Sequence, residues 1–215
     1  MIEQIYERKM LKDIEKYLDL KEAIVIYGAR QVGKTTLLKY LIENNLKDKE
    51  GNVFYFDLEL MNLLELCNQG PEKVHDYLIE KGADKEKQIY LIIDEIQYLE
   101  NPTNFIKIIQ DHYPKIKLLV SGSSTFEIKK KFKNSLVGRI ICFEMYPLNF
   151  EEFLVFKGKK YKLGSNNSKI VNDELVILAK EYIKYGGYPR VVLENSEEKK
   201  QVLLFQIINT YINKD

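Results

Sequence analysis

Five short runs of apolar residues, rich in β-branched side chains, punctuate the chain, and most close on a small or acidic residue. They are Ala23–Ile26 running into Tyr27-Gly28, Val53–Phe56 ending at Asp57, Ile89–Ile93 landing on Asp94-Glu95, Lys117–Val120 leading to Ser121, and Ile140–Met145. Their apolar residues are consecutive rather than alternating, which suits strands covered on both faces. Between them the spacing changes to the helical period. Ile5, Tyr6, Met10, Leu11, Ile14 and Leu18 predict a helix over 2–19, and Leu37, Leu38, Leu41 and Ile42 predict one from Lys34 to about Asn44. Further helices are predicted over 58–82, broken at Gly70-Pro71 and closed at Gly82, over 103–112, and in a basic segment after Ser124. Strands alternating with helices predict an α/β fold, a parallel five-stranded sheet with helices on its faces.

After Tyr146-Pro147-Leu148 the strand pattern stops. Residues 149–157, 172–185 and 196–213 read as helices, separated by a Gly/Ser/Asn/Lys-rich loop at 158–169 and by Gly186-Gly187-Tyr188-Pro189-Arg190. The expected organisation is a core over 1–146 and a small helical lid over 147–215. The last helix is apolar nearly all round, which predicts a covering partner or a further domain beyond residue 215.

The first strand runs straight into Gly28-x-x-x-x-Gly33-Lys34-Thr35 and then into a helix, the setting that gives a P-loop its meaning. Backbone N–H groups along Gly28, Ala29, Arg30, Gln31, Val32, Gly33, Lys34, Thr35 and Thr36, together with the helix N-terminus, form a cradle for a phosphate. Lys34 is expected to reach the β- and γ-phosphates and Thr35 to complete a magnesium shell. Asp94, at the carboxyl end of an apolar strand, is the second expected magnesium residue, and Glu95 is placed to polarise an attacking water. Ser121 closes the strand expected between those of Gly28 and Asp94, where its hydroxyl can orient that water; an N-cap role for Ser123 or Ser124 uses the same stretch. Arg139, just before the fifth strand, is a candidate arginine finger, acting in its own chain or in a neighbouring subunit, or else a surface ion-pair partner. Arg30, inside the loop, could contact the phosphates.

Composition bounds this picture further. The 215 residues are 45% hydrophobic, enough for a full core, but no run approaches the ~18 consecutive apolar residues of a membrane span. Glu3, Glu7, Arg8 and Lys9 break up the N-terminal stretch, so it does not read as a signal peptide. Cys67 and Cys142 form no pattern and read as reduced, buried small residues, in keeping with a cytoplasmic protein, and His75 and His112 have no partner at zinc-ligand spacing. Net charge is +1, yet residues 115–169 hold twelve Lys/Arg against four Asp/Glu, with clusters at Lys129–Lys133 and Lys157–Lys162. Such a stretch is either a solvated surface or a footprint for DNA or an acidic partner. Finally, arginine is scarce: Arg8, Arg30, Arg139 and Arg190 are all there are among 33 basic residues. Scarcity suggests that arginine stands where a planar, forked donor is needed.

The ordered motifs resemble a known family. Gly28-x-Arg30-Gln31-Val32-Gly33-Lys34-Thr35-Thr36, Asp94-Glu95-Ile96-Gln97, Ser121-Gly122-Ser123-Ser124, Ser135-Leu136-x-Gly138-Arg139, Pro147-Leu148-x-Phe150-x-Glu152 and Gly186-Gly187-x-Pro189 are similar to those of archaeal and bacterial AAA+-like P-loop ATPases. That group is related to the STAND NTPases and normally carries an uncharacterised C-terminal domain. The resemblance implies the additional-strand, catalytic-glutamate type of P-loop NTPase. It implies ATP and Mg²⁺ as ligands, slow hydrolysis, and a lid whose Pro189 motif packs near the adenine. The expected output is a nucleotide-driven switch, with self-association in view. A DNA-associated ATPase using the 115–169 surface, and a nucleotide-binding scaffold with little turnover, are the alternative readings.

Overall fold

The computed structural model describes residues 8–49, 51–123, 136–161, 163–164 and 166–212. The chain forms two compact units. One holds residues 9–28 and 34–145, and the other holds residues 29–33, the segment up to Arg8, and everything from Tyr146 onward.

The first unit is built on five parallel strands, β1 (Ala23–Gly28), β2 (Val53–Asp57), β3 (Ile89–Asp94), β4 (Ile116–Ser123) and β5 (Ile140–Met145), in the order β2-β3-β4-β1-β5. The fourth strand therefore lies between β1 and β3, as the resemblance to additional-strand P-loop NTPases implies. Every residue of β3 and β4 is buried, which is why both are mainly apolar and why Lys117, Asp94, Ser121 and Ser123 on them need partners. Val25, Leu91, Ile93, Leu118 and Val120 project to one face. There they pack with Val74 and Leu78 of α4 (Pro71–Glu80) and with Phe105, Ile106 and Ile109 of α5 (Pro102–His112). Ile24, Ile26, Ile92 and Leu119, one residue out of phase, project to the other face and are equally buried. Burying a side chain of this size stabilises by roughly 1.5–3 kcal/mol.

Several boundaries differ from the sequence-based expectation, each for a local reason. The first described helix, α1 (Lys9–Glu15), is shorter than expected, and Ile5 and Tyr6 lie outside the described residues. Turns after α1 carry the chain to Leu20. The carbonyls of Tyr17, Leu20 and Glu22 then converge on the Lys117 ammonium at 2.7, 2.7 and 2.8 Å, so a buried lysine of β4 anchors the approach to β1. The P-loop helix α2 spans Lys34–Asn44 as expected. Residues 58–82 divide into α3 (Met61–Asn68) and α4, because Gly70 takes φ +114° and Pro71 starts the next helix. β4 continues through Ser121 to Ser123, while Ser124 and the segment that an N-cap at Ser123 or Ser124 would open lie outside the described residues. Cys67 is buried as expected, but Cys142 is exposed. It sits on β5, an edge strand of the sheet formed by the described residues.

The second unit is helical, with α6 (Phe150–Phe156), α7 (Lys169–Tyr185), α8 (Pro189–Leu193) and α9 (Glu197–Ile212). Its core gathers Leu148, Phe153, Leu154, Phe156, Leu178 and Val192. Phe150 stacks on Phe153, and Tyr182 donates its hydroxyl hydrogen to the Leu148 carbonyl at 2.8 Å. α6 opens with a capping box: Asn149 Oδ1 accepts from the Glu152 N–H at 2.9 Å, and Glu152 Oε2 accepts from the Asn149 N–H at 3.1 Å. The glycine–proline motif has a local backbone explanation. Gly186 ends α7 at φ +72°, and Pro189 begins α8. A Cβ on Gly187 would stand 2.1 Å from the Leu148 carbonyl oxygen. Along α9, Val202, Phe205 and Ile208 are each more than half exposed.

Candidate nucleotide site

The loop after β1 uses left-handed backbone twice, at Gln31 (φ 64°) and at Gly33 (φ 99°). Only glycine adopts the second cheaply, and the first holds a non-glycine residue in a strained conformation. Gly28 is required for a different reason than close phosphate approach. A Cβ there would lie 2.1 Å from the Met145 carbonyl oxygen, so glycine is what lets β1 and β5 end side by side. Lys34 is 5% exposed and donates to the Gly28 carbonyl at 3.1 Å, spanning the ends of the loop. A buried ammonium at a helix N-terminus is an environment suited to an anion. Thr35 is half-buried beside it, while Arg30, Gln31 and Thr36 are exposed.

Strand register assembles the second half of the site. Ile93 pairs with Val120, and Ser121 pairs with Ile26, so Asp94, Ser121 and Ile26 lie in line across β3, β4 and β1. At about 4.8 Å per strand, Asp94 is roughly 10 Å from the backbone of the P-loop strand. Asp94 is 2% exposed. One carboxylate oxygen accepts the Ser121 hydroxyl, and the other accepts the Tyr55 hydroxyl at 2.8 Å. Burial and the bond to Asp94 push the Tyr55 phenol upward, keeping it a neutral donor. Glu95 has φ 57° and ψ 48°, a left-handed residue at the strand end. Its N–H is shared between Asp94 Oδ1 (3.2 Å) and Ser121 Oγ (3.3 Å), and its carboxylate accepts from the Gln97 amide. Gln97 in turn accepts the Ser123 N–H at 3.1 Å. The strained residue is held by several independent bonds, a pattern typical of functional sites. Asp94 and Thr35 are hard oxygen donors of the kind magnesium takes, so the residues fit that ion.

Residues 20–154, well over half of the chain, match the AAA domain family. The chain belongs to that family. Membership implies nucleotide binding and hydrolysis, and the five-stranded parallel sheet is that of a P-loop NTPase. The AAA domain is 31% identical to an uncharacterised protein of Methanocaldococcus jannaschii over 95% of this chain and 44% of that protein. Indeed, the chain spans about half the length of the curated relatives it matches. Among solved structures it is similar to a Walker-type ATPase of Pyrococcus abyssi, with a TM-score of 0.54 and 14% identity over 88% of this chain and 65% of that one. It is also similar to Caenorhabditis elegans PCH-2, with a TM-score of 0.53 and 14% identity over 98% and 71%. At such identity the likeness is one of fold.

Two expectations for this AAA domain change with the structure. Arg139 is not brought to Asp94 and Gly28. Its carbonyl accepts the Ala23 N–H at 2.9 Å, at the amino-terminal end of β1, roughly 17 Å of strand away from Gly28. There its guanidinium pairs with Asp111 at 2.8 and 3.1 Å, which removes the reading of Arg139 as a finger within its own chain. The basic stretch is also less free than its charge count suggests. Lys115 pairs with Glu86, Lys157 with Glu181 and Lys159 with Glu174, while Lys117 is spent on carbonyls. The Lys129–Lys133 cluster and Lys162 lie outside the described residues, as does Ser135. No described helix is long and apolar enough to cross a membrane. Tyr55 and Gln97 are site residues that sequence reasoning missed. Gln97 lies within the quoted Asp94-Glu95-Ile96-Gln97 motif, but nothing in local spacing marks Tyr55.

Proposed function

We propose that this AAA domain binds MgATP and hydrolyses its β–γ phosphoanhydride in the cytoplasm, the bound-nucleotide state acting as a switch. The observation that carries the reading is the linked set Asp94–Ser121–Glu95 at the same sheet end as the Lys34 loop. Lys34 and the loop N–H groups hold the phosphates. The Thr35 hydroxyl and the Asp94 carboxylate would hold magnesium, which when bound neutralises charge on the β- and γ-oxygens. Tyr55 and Ser121 keep the Asp94 oxygens turned in fixed directions. Glu95 takes the proton of the attacking water on its carboxylate as that water's oxygen bonds to the γ-phosphorus and the bond to the β-phosphate oxygen breaks, leaving ADP and phosphate. In the described geometry Glu95 is held by Gln97, so turnover requires that carboxylate to exchange its amide partner for water. That requirement accords with slow hydrolysis. Pro189 near the adenine, self-association, and Arg139 reaching a neighbouring subunit's site remain parts of the same proposal.

The test pairs two substitutions. Glu95→Gln should leave MgATP affinity near wild type and lower the single-turnover rate by about 10²–10⁴, while Lys34→Ala should abolish tight binding. Tight MgATP binding by the Lys34 variant would sink the site assignment, and unchanged turnover in the Glu95 variant would remove its role as base.

A further inference from the structure

Arg8 precedes α1 and belongs to the helical unit together with residues 29–33 and the chain from Tyr146 onward. It is 7% exposed, and each of its three nitrogens donates to a different segment. Nε donates to Glu152 Oε1 at 2.9 Å, Nη1 to the Val32 carbonyl at 3.0 Å, and Nη2 to the Tyr146 carbonyl at 2.8 Å. Glu152 is equally buried, and its other oxygen closes the capping box of α6. One planar fork thus ties the middle of the P-loop, the chain leaving β5, and the first turn of α6.

The grip on Val32 is the informative one. The Val32–Gly33 peptide is trans and planar, so with its carbonyl turned to Arg8 its N–H points the opposite way. This peptide stands between the loop's two left-handed positions, Gln31 and Gly33. Rotating it changes ψ of Val32 and φ of Gly33, and glycine tolerates either sign of φ. It is therefore a peptide of the loop that can turn over at little steric cost. We propose that Arg8 is a positioning residue that latches this peptide, holding the Gly33 N–H toward the phosphate side. By the same contact it couples nucleotide occupancy to helix α6 through Glu152. The ligand in this inference rests on the MgATP reading. Coupling is reciprocal: whatever the latch adds to nucleotide affinity, bound nucleotide returns to the Arg8–Glu152 pair.

The experiment is a double-mutant cycle on MgADP and MgATP binding by calorimetry, at a temperature where circular dichroism shows each variant folded. Arg8→Lys keeps a positive charge but loses the fork, and Glu152→Gln keeps an acceptor for the Asn149 N–H but loses the charge. Arg8→Lys is expected to raise Kd about tenfold for both nucleotides, within the usual range of coupling. Glu152→Gln should raise Kd by a smaller factor, and the double variant should bind no more weakly than Arg8→Lys alone. A purely structural role predicts a lower melting temperature with unchanged Kd in the folded range, and that result overturns the inference. Additive losses in the double variant overturn the coupling, and so does an unchanged Kd in Glu152→Gln should Arg8→Lys fail to fold. Absence of binding by the wild-type chain would instead sink the MgATP reading, and this inference with it.

Discussion

Replacing Lys117 by methionine sets two large effects against each other and so tests how the sheet is anchored. Lys117 is 2% exposed, and burial lowers its ammonium from the ordinary 10.5 to about 8. A shift of that size corresponds to about 3 kcal/mol of charge-burial cost at neutral pH, which methionine relieves. On the other side, the carbonyls of Tyr17, Leu20 and Glu22 each lose a donor at 2.7–2.8 Å. The Tyr17 carbonyl keeps a longer bond from the Leu20 N–H at 3.3 Å, so it suffers least. Charge-assisted bonds contribute about 1.5–3 kcal/mol each, and a buried acceptor left without a partner costs about 1–3 kcal/mol. Three lost bonds outweigh the relief, giving a net destabilisation of roughly 2–4 kcal/mol at pH 7. The pH dependence has a definite sign. Below about pH 8 folded and unfolded chains are both protonated at Lys117, and the folded state bears the whole cost. Between about 8 and 10.5 only the unfolded chain keeps the proton, so the wild-type contribution to stability rises with pH across that window. Lys117→Met lacks this rise. Urea denaturation followed by circular dichroism at pH 7 and at pH 9.5 reads both quantities. A methionine variant as stable as wild type at pH 7 would refute the reasoning, because the carbonyl bonds would then be worth no more than the burial they require.

Gln97→Ala frees the Glu95 carboxylate and the Ser123 N–H; single-turnover hydrolysis should rise by about tenfold with little change in nucleotide Kd, because the base no longer has to give up an amide partner to meet water. A parallel shift in Kd would point instead to a rearranged loop. Gly28→Ala brings a Cβ to 2.1 Å from the Met145 carbonyl, so β5 must yield, and thermal unfolding should show a loss of about 1–3 kcal/mol. Tyr55→Phe removes a 2.8 Å donor from buried Asp94 and should lower the urea midpoint by the equivalent of about 1.5–3 kcal/mol at pH 7. Arg139→Met, far along β1 from the loop, should leave hydrolysis unchanged at protein dilutions where subunits are separate, and a fall seen only at high concentration would mark a role across subunits.

The strands, the P-loop and the acidic pair were legible because each is written within a few consecutive residues. An apolar run, a glycine at fixed spacing and a carboxylate at a strand end follow from local chemistry. Arginine scarcity was the one compositional signal for Arg8, but it named no partner: Val32 and Glu152 lie 24 and 144 residues away. Lys117 counted as one more surface charge until the fold placed three carbonyls around it. Arg139 looked like a phosphate ligand although a parallel sheet already puts a residue that precedes a strand at the end opposite the loop that follows β1. Gly28 and Gly187 carried the right residue for a reason that only packing reveals, a neighbouring carbonyl where a Cβ would stand.

By itself, then, the sequence determined that this chain makes a parallel sheet around a phosphate loop with an acidic pair behind it, since hydrophobic period and turn chemistry are properties of adjacent residues. Tertiary structure decided which side chains serve that loop. Tyr55 reaches Asp94, Ser123 reaches Gln97, and Arg8 reaches the loop, through register and long-range packing. Hydrogen bonds of that kind depend on where strands and segments remote in sequence come to lie, and no local pattern encodes it.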